Sequence, residues 1–158
     1  MTRNKLFGAL AALLCVLSSC SDRPKDLLFQ DFFVSVADET GAQSSRIMSS
    51  ANNLVVTYYF SLVSEARNEP LTLNFDLEVG DGLTEGKDFS LQTQARSVTF
   101  EPGVYKKPYR INYLNNPVDP SKDNTIKIII TSTSDPSLTI GYPGPSAKFS
   151  QHIITKYN

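Results

Sequence analysis

The sequence predicts an all-β protein, a single antiparallel β-sandwich of immunoglobulin-like type with about seven strands, placed after a lipoprotein signal peptide and a short tether. The first observation behind this prediction is the strict alternation of apolar and polar residues over 71–79, which is typical of a strand with one buried face. Turn-forming residues between the apolar segments are the second. The third is that no segment of ten or more residues has a helical period. Periodicity alone leaves a closed barrel open as the alternative.

Seven segments of the sequence are predicted as strands, each bounded by turn-forming residues. They are 28–36, 54–62, 71–79, 97–100, 108–114, 125–131 and 148–156. The strand at 54–62 has one apolar face and also carries Val55 and Tyr59 on the other, so we expect it at the centre of a sheet or beneath a loop. The strand at 71–79 places Phe75 in the middle of its apolar face, and we expect this side chain to be buried.

The first twenty residues have the features of an exported lipoprotein. A cationic segment with Arg3 and Lys5 precedes an uncharged apolar segment at 6–16, which is the order of a secretory signal peptide. That segment is too short to span a membrane as a helix, which takes about 20 residues. Leu-Ser-Ser-Cys at 17–20 resembles the lipobox that the bacterial lipoprotein signal peptidase cleaves. We therefore expect a signal peptide over 1–19 and a lipidated Cys20, with an ordinary signal peptide as the alternative.

Processing at Cys20 determines what the mature chain contains. Cys15 leaves with the signal peptide and Cys20 carries the lipid, so disulfides, cysteine metal sites and cysteine nucleophiles are excluded for the folded domain. Of the fifteen basic residues, Arg3 and Lys5 also leave, so the sixteen acidic residues give the mature chain a formal charge of about −3. This balance, without a long basic run, argues against a nucleic-acid partner.

The mature chain is predicted to contain one domain. Residues 20–26 form the lipidated cysteine and a polar, proline-containing tether, and residues 27–158 form the β-sandwich. Attachment through Cys20 makes the membrane the expected first partner and places the protein in the cell envelope, anchored by lipid to the outer membrane.

Two motifs after the alternating strand resemble a known family. Gly-Lys-Asp-Phe at 86–89 is followed by Val-Thr-Phe-Glu-Pro-Gly at 98–103. This order resembles the Calx-beta domain and related uncharacterised domains of surface lipoproteins from bacterial polysaccharide-utilisation systems. The residues that carry the resemblance are Gly86, Asp88, Phe89, Phe100, Pro102 and Gly103. We expect them to serve the fold: the aspartate caps a turn, the phenylalanines fill the core, and Pro-Gly forms a tight turn.

The resemblance to Calx-beta domains implies a possible calcium site. In calcium-binding members the loop after the 108–114 strand is rich in acidic pairs, whereas here it offers Asp119 and Asp123 with Lys122 between them. Asp135, after the next strand, could join them at the same end of the sandwich. Ca²⁺ takes six to eight oxygen ligands, so we expect no cofactor beyond weak calcium, bound no tighter than millimolar. A solvated loop is the simpler interpretation.

No catalytic group is predicted. The single histidine, His152, lies in a strand and is expected on its exterior face, and no nucleophile motif accompanies it. Asp76 and Glu78 share one face of the 71–79 strand, but they lie on the polar side of an uninterrupted alternation. A solvated sheet face explains this pattern, so we expect the protein not to be an enzyme.

Two non-enzymatic functions remain at this stage. The first is an accessory or binding module of a glycan-uptake or surface assembly system, with a surface protein or a glycan as partner. The second is a structural or adhesive Calx-beta-type module with a weak calcium site. The absence of tryptophan weakens direct sugar binding, but Tyr105 and Tyr142 fall in predicted turns and are candidate ligand contacts.

Overall fold

The computed structural model describes residues 31–49 and 52–158, which form ten β-strands. The signal peptide and tether predicted over 1–19 and 20–26, with Cys20, lie outside the described residues. The strands are β1 Phe33–Asp38, β2 Ser44–Met48, β3 Leu54–Val63, β4 Leu71–Val79, β5 Phe89–Leu91, β6 Ser97–Phe100, β7 Lys106–Tyr113, β8 Thr125–Thr133, β9 Thr139–Ile140 and β10 Gln151–Tyr157. None of the described residues forms a helix long and apolar enough to cross a membrane.

The ten strands form two five-stranded sheets. Sheet A has the order β5-β7-β3-β1-β9, and sheet B has the order β2-β10-β8-β4-β6. Within the described part of the chain no strand of one sheet pairs with a strand of the other, and one cluster of buried side chains fills the space between them. The β-sandwich prediction is confirmed, and the barrel alternative is wrong.

The strand count is ten rather than about seven. The sequence prediction missed β2, β5 and β9, which are short and have no extended alternation of apolar and polar residues. Two pairs, β1 with β9 and β2 with β10, are parallel, whereas the prediction was antiparallel throughout. The reason is that each end of the domain contributes one strand to each sheet, and these strands run side by side in the same direction.

Two of the long strands, β4 and β3, agree with the alternation in the sequence. In β4 the side chain of Phe75 is buried while Asp76 and Glu78 are exposed, as predicted. β3 lies between β7 and β1, which confirms its predicted central position. Leu54, at the start of β3, is exposed, since it lies beyond the end of the core.

Strand boundaries differ at both ends of the domain. β1 continues to Asp38, past the predicted end at residue 36. β10 begins at Gln151 instead of residue 148, because Ala147 and Phe149 have positive φ angles of 39° and 64°, which interrupt an extended strand. The backbone therefore turns just before it enters sheet B.

The core between the sheets contains a cluster of aromatic side chains. The ring of Phe75 from sheet B lies 4.7 Å from that of Phe60 and 5.0 Å, edge to face, from that of Tyr109, both in sheet A. Among the described residues, the buried apolar side chains run from Phe33 to Ile154. A soluble fragment that begins after the lipidation position therefore keeps the complete core.

The family-like motifs form the predicted fold elements. Phe89 and Phe100 are buried in the core. Gly86 and Gly103 have φ angles of +85° and +80°, a conformation that costs glycine little and other residues more. The amide of Val104 donates a hydrogen bond to the Glu101 carbonyl at 2.9 Å, which closes the turn at Pro102-Gly103.

Candidate binding surface

The three candidate calcium ligands do not meet. Asp119 and Asp123 precede β8, whereas Asp135 follows it, and a nine-residue strand is about 27 Å long. Asp135 therefore does not join the other two at the same end of the sandwich. Any calcium site in this loop has to rely on Asp119 and Asp123 with other oxygen donors.

The carboxylates of Asp119 and Asp123 each accept hydrogen bonds from a residue two positions further along the chain. The Asp119 carboxylate accepts hydrogen bonds from the amide and hydroxyl of Ser121 at 2.9 and 2.6 Å, which lower its pKa. The Asp123 carboxylate accepts in the same way from Thr125 at 3.1 and 2.7 Å. Such local bonds are the common use of aspartate in turns. No group of three or more His, Cys, Asp or Glu side chains that could hold a metal ion occurs in the described residues.

Asp135 is occupied at the other end of the sandwich. It accepts hydrogen bonds from the hydroxyl and amide of Ser137 and forms an ion pair with Arg67 at 2.7 Å. The hydrogen bond from the Ser137 hydroxyl is the main cause that lowers the pKa of Asp135 to about 2, and Arg67 adds to it. These contacts join the β8–β9 turn to the β3–β4 loop.

Calcium titration tests this description of the acidic loop. We expect calorimetry on the fragment 21–158 to show Ca²⁺ binding no tighter than millimolar, because Lys122 lies between Asp119 and Asp123, and the neighbouring Asp81 carboxylate already accepts a hydrogen bond from the Asp123 amide at 3.0 Å. Micromolar binding that disappears in Asp119→Ala, but not in Asp135→Ala, would contradict this expectation.

A buried ion pair, which the sequence analysis did not identify, lies between Asp88 and Lys156. Both residues are only 2% exposed, and the Lys156 ammonium lies 3.5 Å from the Asp88 carboxylate. The ammonium also donates to the carbonyls of Asp88, Leu114 and Asn116 at 3.2, 2.9 and 2.9 Å. All three N–H groups of the ammonium can therefore be satisfied.

The Asp88 carboxylate is equally well satisfied. It accepts hydrogen bonds from the Asn116 amide at 2.6 Å and from the Thr84 backbone amide at 2.9 Å, which confirms the predicted turn-capping role. Burial opposes ionisation of Asp88, but these hydrogen bonds and the charge of Lys156 lower its pKa. Burial lowers the pKa of Lys156, against the opposing effect of Asp88. The pair joins the β4–β5 turn to the last strand.

His152 is buried, so its predicted position on an exterior face is wrong. Its ring is 0% exposed and lies 5.0 Å from that of Tyr58. Its Nε2 is 3.0 Å from the hydroxyl of Ser45 on the edge strand β2. His152, Ile154 and Lys156 are alternate residues of β10 and lie on one face. An apolar residue at position 154 therefore indicated that His152 and Lys156 point to the core as well. A histidine enclosed in this way has no access to a substrate.

Burial of His152 predicts a loss of stability in mild acid. Burial lowers its pKa below the ordinary 6.5, with a smaller opposing effect from Asp38. As the pH falls through 6.5 the unfolded chain therefore takes up a proton before the folded protein does, and stability declines until the folded pKa is passed. Above that window both states are neutral. Each unit of pKa difference corresponds to about 1.4 kcal/mol.

Thermal unfolding of the fragment 21–158 between pH 5 and pH 7.5 measures this effect. We expect a lower Tm at pH 5, and a flatter pH dependence for His152→Gln, which cannot be protonated. The carboxylates with lowered pKa values titrate below 3.8, outside this range. The same slope in both proteins would show that another group is responsible.

The two tyrosines predicted as ligand contacts lie in separate places. Tyr142 is 46% exposed, and its ring lies 4.6 Å from that of Phe33 and 5.2 Å from that of Phe149. Tyr105 is 38% exposed, just before β7, and its carbonyl accepts a hydrogen bond from Leu62. β3 and β1 lie between β7 and β9, so three strand spacings, about 14 Å, separate these parts of the sheet. The tyrosines therefore do not form one site.

The side of sheet A that faces away from the core is a candidate binding surface. In β3 the core side carries Tyr58, Phe60 and Leu62, so the intervening residues point outward. The register with β7 pairs Tyr59 with Pro108 and Thr57 with Arg110. We call this surface the outer face of sheet A. It consists of Val55, Thr57, Tyr59, Ser61, Val63, Ser90, Lys106, Pro108, Arg110 and Asn112.

The outer face of sheet A carries charge of one sign. Lys106 and Arg110 are exposed on it, and none of its residues is acidic, although the chain has sixteen acidic residues. The Lys106 ammonium lies 4.0 Å from the centre of the half-buried Tyr59 ring, within cation–π distance. Phe33 also points outward from sheet A, so Tyr142, which covers it, borders this face.

Other surfaces of the described residues are mixed in charge. A cleft of about 430 Å³ is lined by Arg67 together with Glu65 and Glu69. Another of about 590 Å³ is lined by Lys122 and Asp123. Charges of both signs in one cleft do not select a charged ligand, whereas the outer face of sheet A favours an anion.

The fold and this surface define a two-sheet β-sandwich domain with an acid-free outer face. No protein-family model matches the chain, and no curated protein matches it. Solved structures do match. The crystal structure of the apo-form Calx CBD1 domain aligns with 80% of this chain and 99% of that chain, at 16% sequence identity and a TM-score of 0.49.

Two longer solved chains also match. They are the crystal structures of calcium binding domain CBD12 of CALX1.1, at 13% identity, and of CBD12 from CALX1.2, at 14%, both with a TM-score of 0.48. Each covers 77% of this chain, which spans 43% and 44% of their lengths. All three are Calx-beta domains, the family that the motifs at 86–89 and 98–103 resemble. Matches at this level do not identify a ligand for this chain.

Proposed function

We propose that this chain is a lipid-anchored surface protein of the cell envelope, a non-catalytic accessory or binding module in a glycan-uptake or surface assembly system. The observation that supports a binding role is the outer face of sheet A, where exposed side chains of β3 and β7 present aromatic, cationic and hydroxyl groups together. These groups are available to a partner, whereas the buried polar groups are not.

The side chains first considered for chemistry serve the fold instead. Asp119 and Asp135 hold their own turns, and the ring of His152 is enclosed between the sheets. Asp88 and Lys156 neutralise each other in the interior. A module that binds through an open sheet face needs none of them to act on a substrate.

The lipid anchor limits how far from the membrane such a module can bind its partners. Residues 21–26, fully extended, reach on the order of 20 Å from the lipidated Cys20, so the domain stays close to the membrane surface. Partners in this proposal are other surface proteins or glycans that pass near the membrane, and the membrane in question is the outer membrane.

Replacing the lipidated residue tests the anchored part of this function. In a bacterium that processes lipoproteins, we expect Cys20→Ala to give an uncleaved, unlipidated precursor that no longer partitions into detergent. Each buried acyl CH₂ contributes about 0.8 kcal/mol, so several chains anchor almost irreversibly. Gel mobility, acyl labelling and detergent partitioning measure the outcome.

Cys15→Ala is the matched control, because Cys15 lies inside the expected signal peptide and its loss leaves Leu-Ser-Ser-Cys intact. We expect normal processing of this variant, and protease accessibility on whole cells then reports exposure at the surface. Processed, membrane-bound Cys20→Ala protein would contradict the anchor, and full protease resistance of the wild-type domain would contradict surface exposure.

A further inference from the structure

We propose that the outer face of sheet A binds an acidic carbohydrate polymer, whose carboxylate or sulfate groups pair with Arg110 and Lys106 while a sugar ring packs on Tyr59. This proposal rests on the proposed function and names the class of ligand for its binding surface. It is carried by the placement of these side chains on β3 and β7.

The spacing of the two cations suits an extended polymer. Lys106 and Arg110 are four residues apart on β7, so both point to the same side of the sheet, and their Cα atoms are about 14 Å apart by strand rise. The face lies along the paired strands β3 and β7. A chain of several sugars can lie along β7 past both positions.

The charge of the face selects an anion. Arg110 is exposed, and its planar guanidinium suits a carboxylate or sulfate, to which it can donate two parallel hydrogen bonds. The outer side of sheet B differs, because Asp76 and Glu78 lie there and Lys127 is paired with Glu78 at 3.1 Å. Arg46 also lies on the outer side of sheet B, 4.6 Å from the centre of the Tyr157 ring, but it shares that side with the two carboxylates. Of the two outer sides, that of sheet A combines its cations with no acidic residue.

The side chains around the two cations fit a charged carbohydrate better than an anion that has no hydroxyl groups. The Lys106 ammonium lies over the half-buried Tyr59 ring, 4.0 Å from its centre, and the exposed part of this tyrosine places an apolar edge and a polar tip beside the cation. Thr57, Ser61 and Asn112 add hydroxyl and amide groups on the same face, which both donate and accept hydrogen bonds, as sugar hydroxyls require.

The same composition disfavours other polyanionic partners. Anionic membranes are bound by clusters of about four to eight Lys or Arg residues, and this face has two. The core of a protein interface is usually more apolar than the rest of the surface, whereas here the exposed aliphatic residues, Val55 and Val63, lie apart at the two ends of β3. A carbohydrate polyanion is the occupant that fits.

Binding of two matched pairs of polymers to the fragment 21–158 tests the proposal. The first pair is polygalacturonate and its methyl-esterified form, and the second is dextran sulfate and dextran, so each pair differs in charge but not in backbone. We expect calorimetry at low salt to show at least about tenfold tighter binding of the charged member of one pair or both, weakening as salt is raised.

Variants locate the site. Arg110→Gln should weaken binding of the charged polymer by about tenfold, and Tyr59→Ala should also weaken it. Lys127→Gln, on the opposite sheet, is the control and should change binding by less than about twofold. Arg110 is exposed, and Lys127 is half-buried with its charge in a surface ion pair, which contributes little to stability, so thermal unfolding of these two variants should stay close to the wild type. Tyr59→Leu keeps an apolar side chain if Tyr59→Ala does not fold.

Several outcomes would overturn the proposal. These are silence with both charged polymers, equal binding of charged and neutral members, and equal losses in Arg110→Gln and Lys127→Gln. Tighter binding to phosphatidylserine vesicles or to polyglutamate than to either acidic polysaccharide would assign the face to a lipid or an acidic protein. If neither charged polymer binds but Cys20 is lipidated and the domain is exposed at the surface, only the proposed ligand class is wrong. If the Cys20 tests fail, the proposal of a lipid-anchored module is wrong.

Discussion

Asp88→Ala is expected to lower the free energy of unfolding of the fragment 21–158 by about 3–5 kcal/mol, because it leaves a buried ammonium without its charge partner. Lys156 is 2% exposed, so water cannot replace the lost carboxylate without opening the structure. The substitution also removes the acceptor of the hydrogen bonds from the Thr84 backbone amide and the Asn116 side chain, which hold the β4–β5 turn in place. Denaturant unfolding measures the change.

Asp119→Ala is the matched control for this experiment. Its carboxylate also caps a turn through two hydrogen bonds, but it is exposed and has no buried partner, so we expect a loss below about 1 kcal/mol. If the two alanine variants were equally destabilised, the Asp88–Lys156 pair would contribute no more than an ordinary surface turn.

A double-mutant cycle separates the charge interaction from the loss of the cap. Asp88→Asn and Lys156→Met each remove one charge, and the combined variant removes both. Because each single variant leaves one uncompensated buried charge, we expect the double variant to be less destabilised than the sum of the two. Strict additivity would mean that the two groups act independently.

Phe75→Ala is expected to cost a similar amount, about 3–5 kcal/mol, through loss of packing. The Phe75 ring is 1% exposed and contacts Phe60 and Tyr109 of the opposite sheet, so its removal leaves a cavity at the interface of the two sheets. The measurement is again the free energy of unfolding, from the midpoint and slope of a denaturant curve.

Asp76→Ala controls for the register of β4. Asp76 is the next residue along the strand and lies on the exposed side, so its replacement should change stability by less than about 0.5 kcal/mol. Equal effects of the two alanine variants would be inconsistent with the alternation of buried and exposed residues in β4.

The sandwich gives its two outer sides different chemistry. Sheet B presents both charge signs, with Lys127 paired to Glu78, whereas the outer face of sheet A presents Lys106 and Arg110 without an acidic residue. The interior keeps its own charges paired, so the charge available to a partner depends on which side the partner meets. A binding module can thus attract an anion although the whole chain is slightly acidic.

The sequence by itself determined the features that depend on near neighbours. The alternation over 71–79 predicted β4 and the burial of Phe75, because a strand places successive side chains on opposite sides. Gly86, Gly103 and the Asp88 cap were predictable for the same reason, since a turn depends on the conformation of a few consecutive residues. The class of fold followed from these local features.

Only the tertiary structure decided which distant residues meet. Asp88 and Lys156 are 68 positions apart, and the residues around each of them in the sequence do not indicate that the two pair. Asp119 and Asp135 are close in the sequence, yet β8 separates them, because its nine residues are fully extended. The outer face of sheet A likewise exists only because β3 and β7 pair in one register. Sheet membership and register depend on packing of the whole core, whereas alternation and turns are properties of short segments.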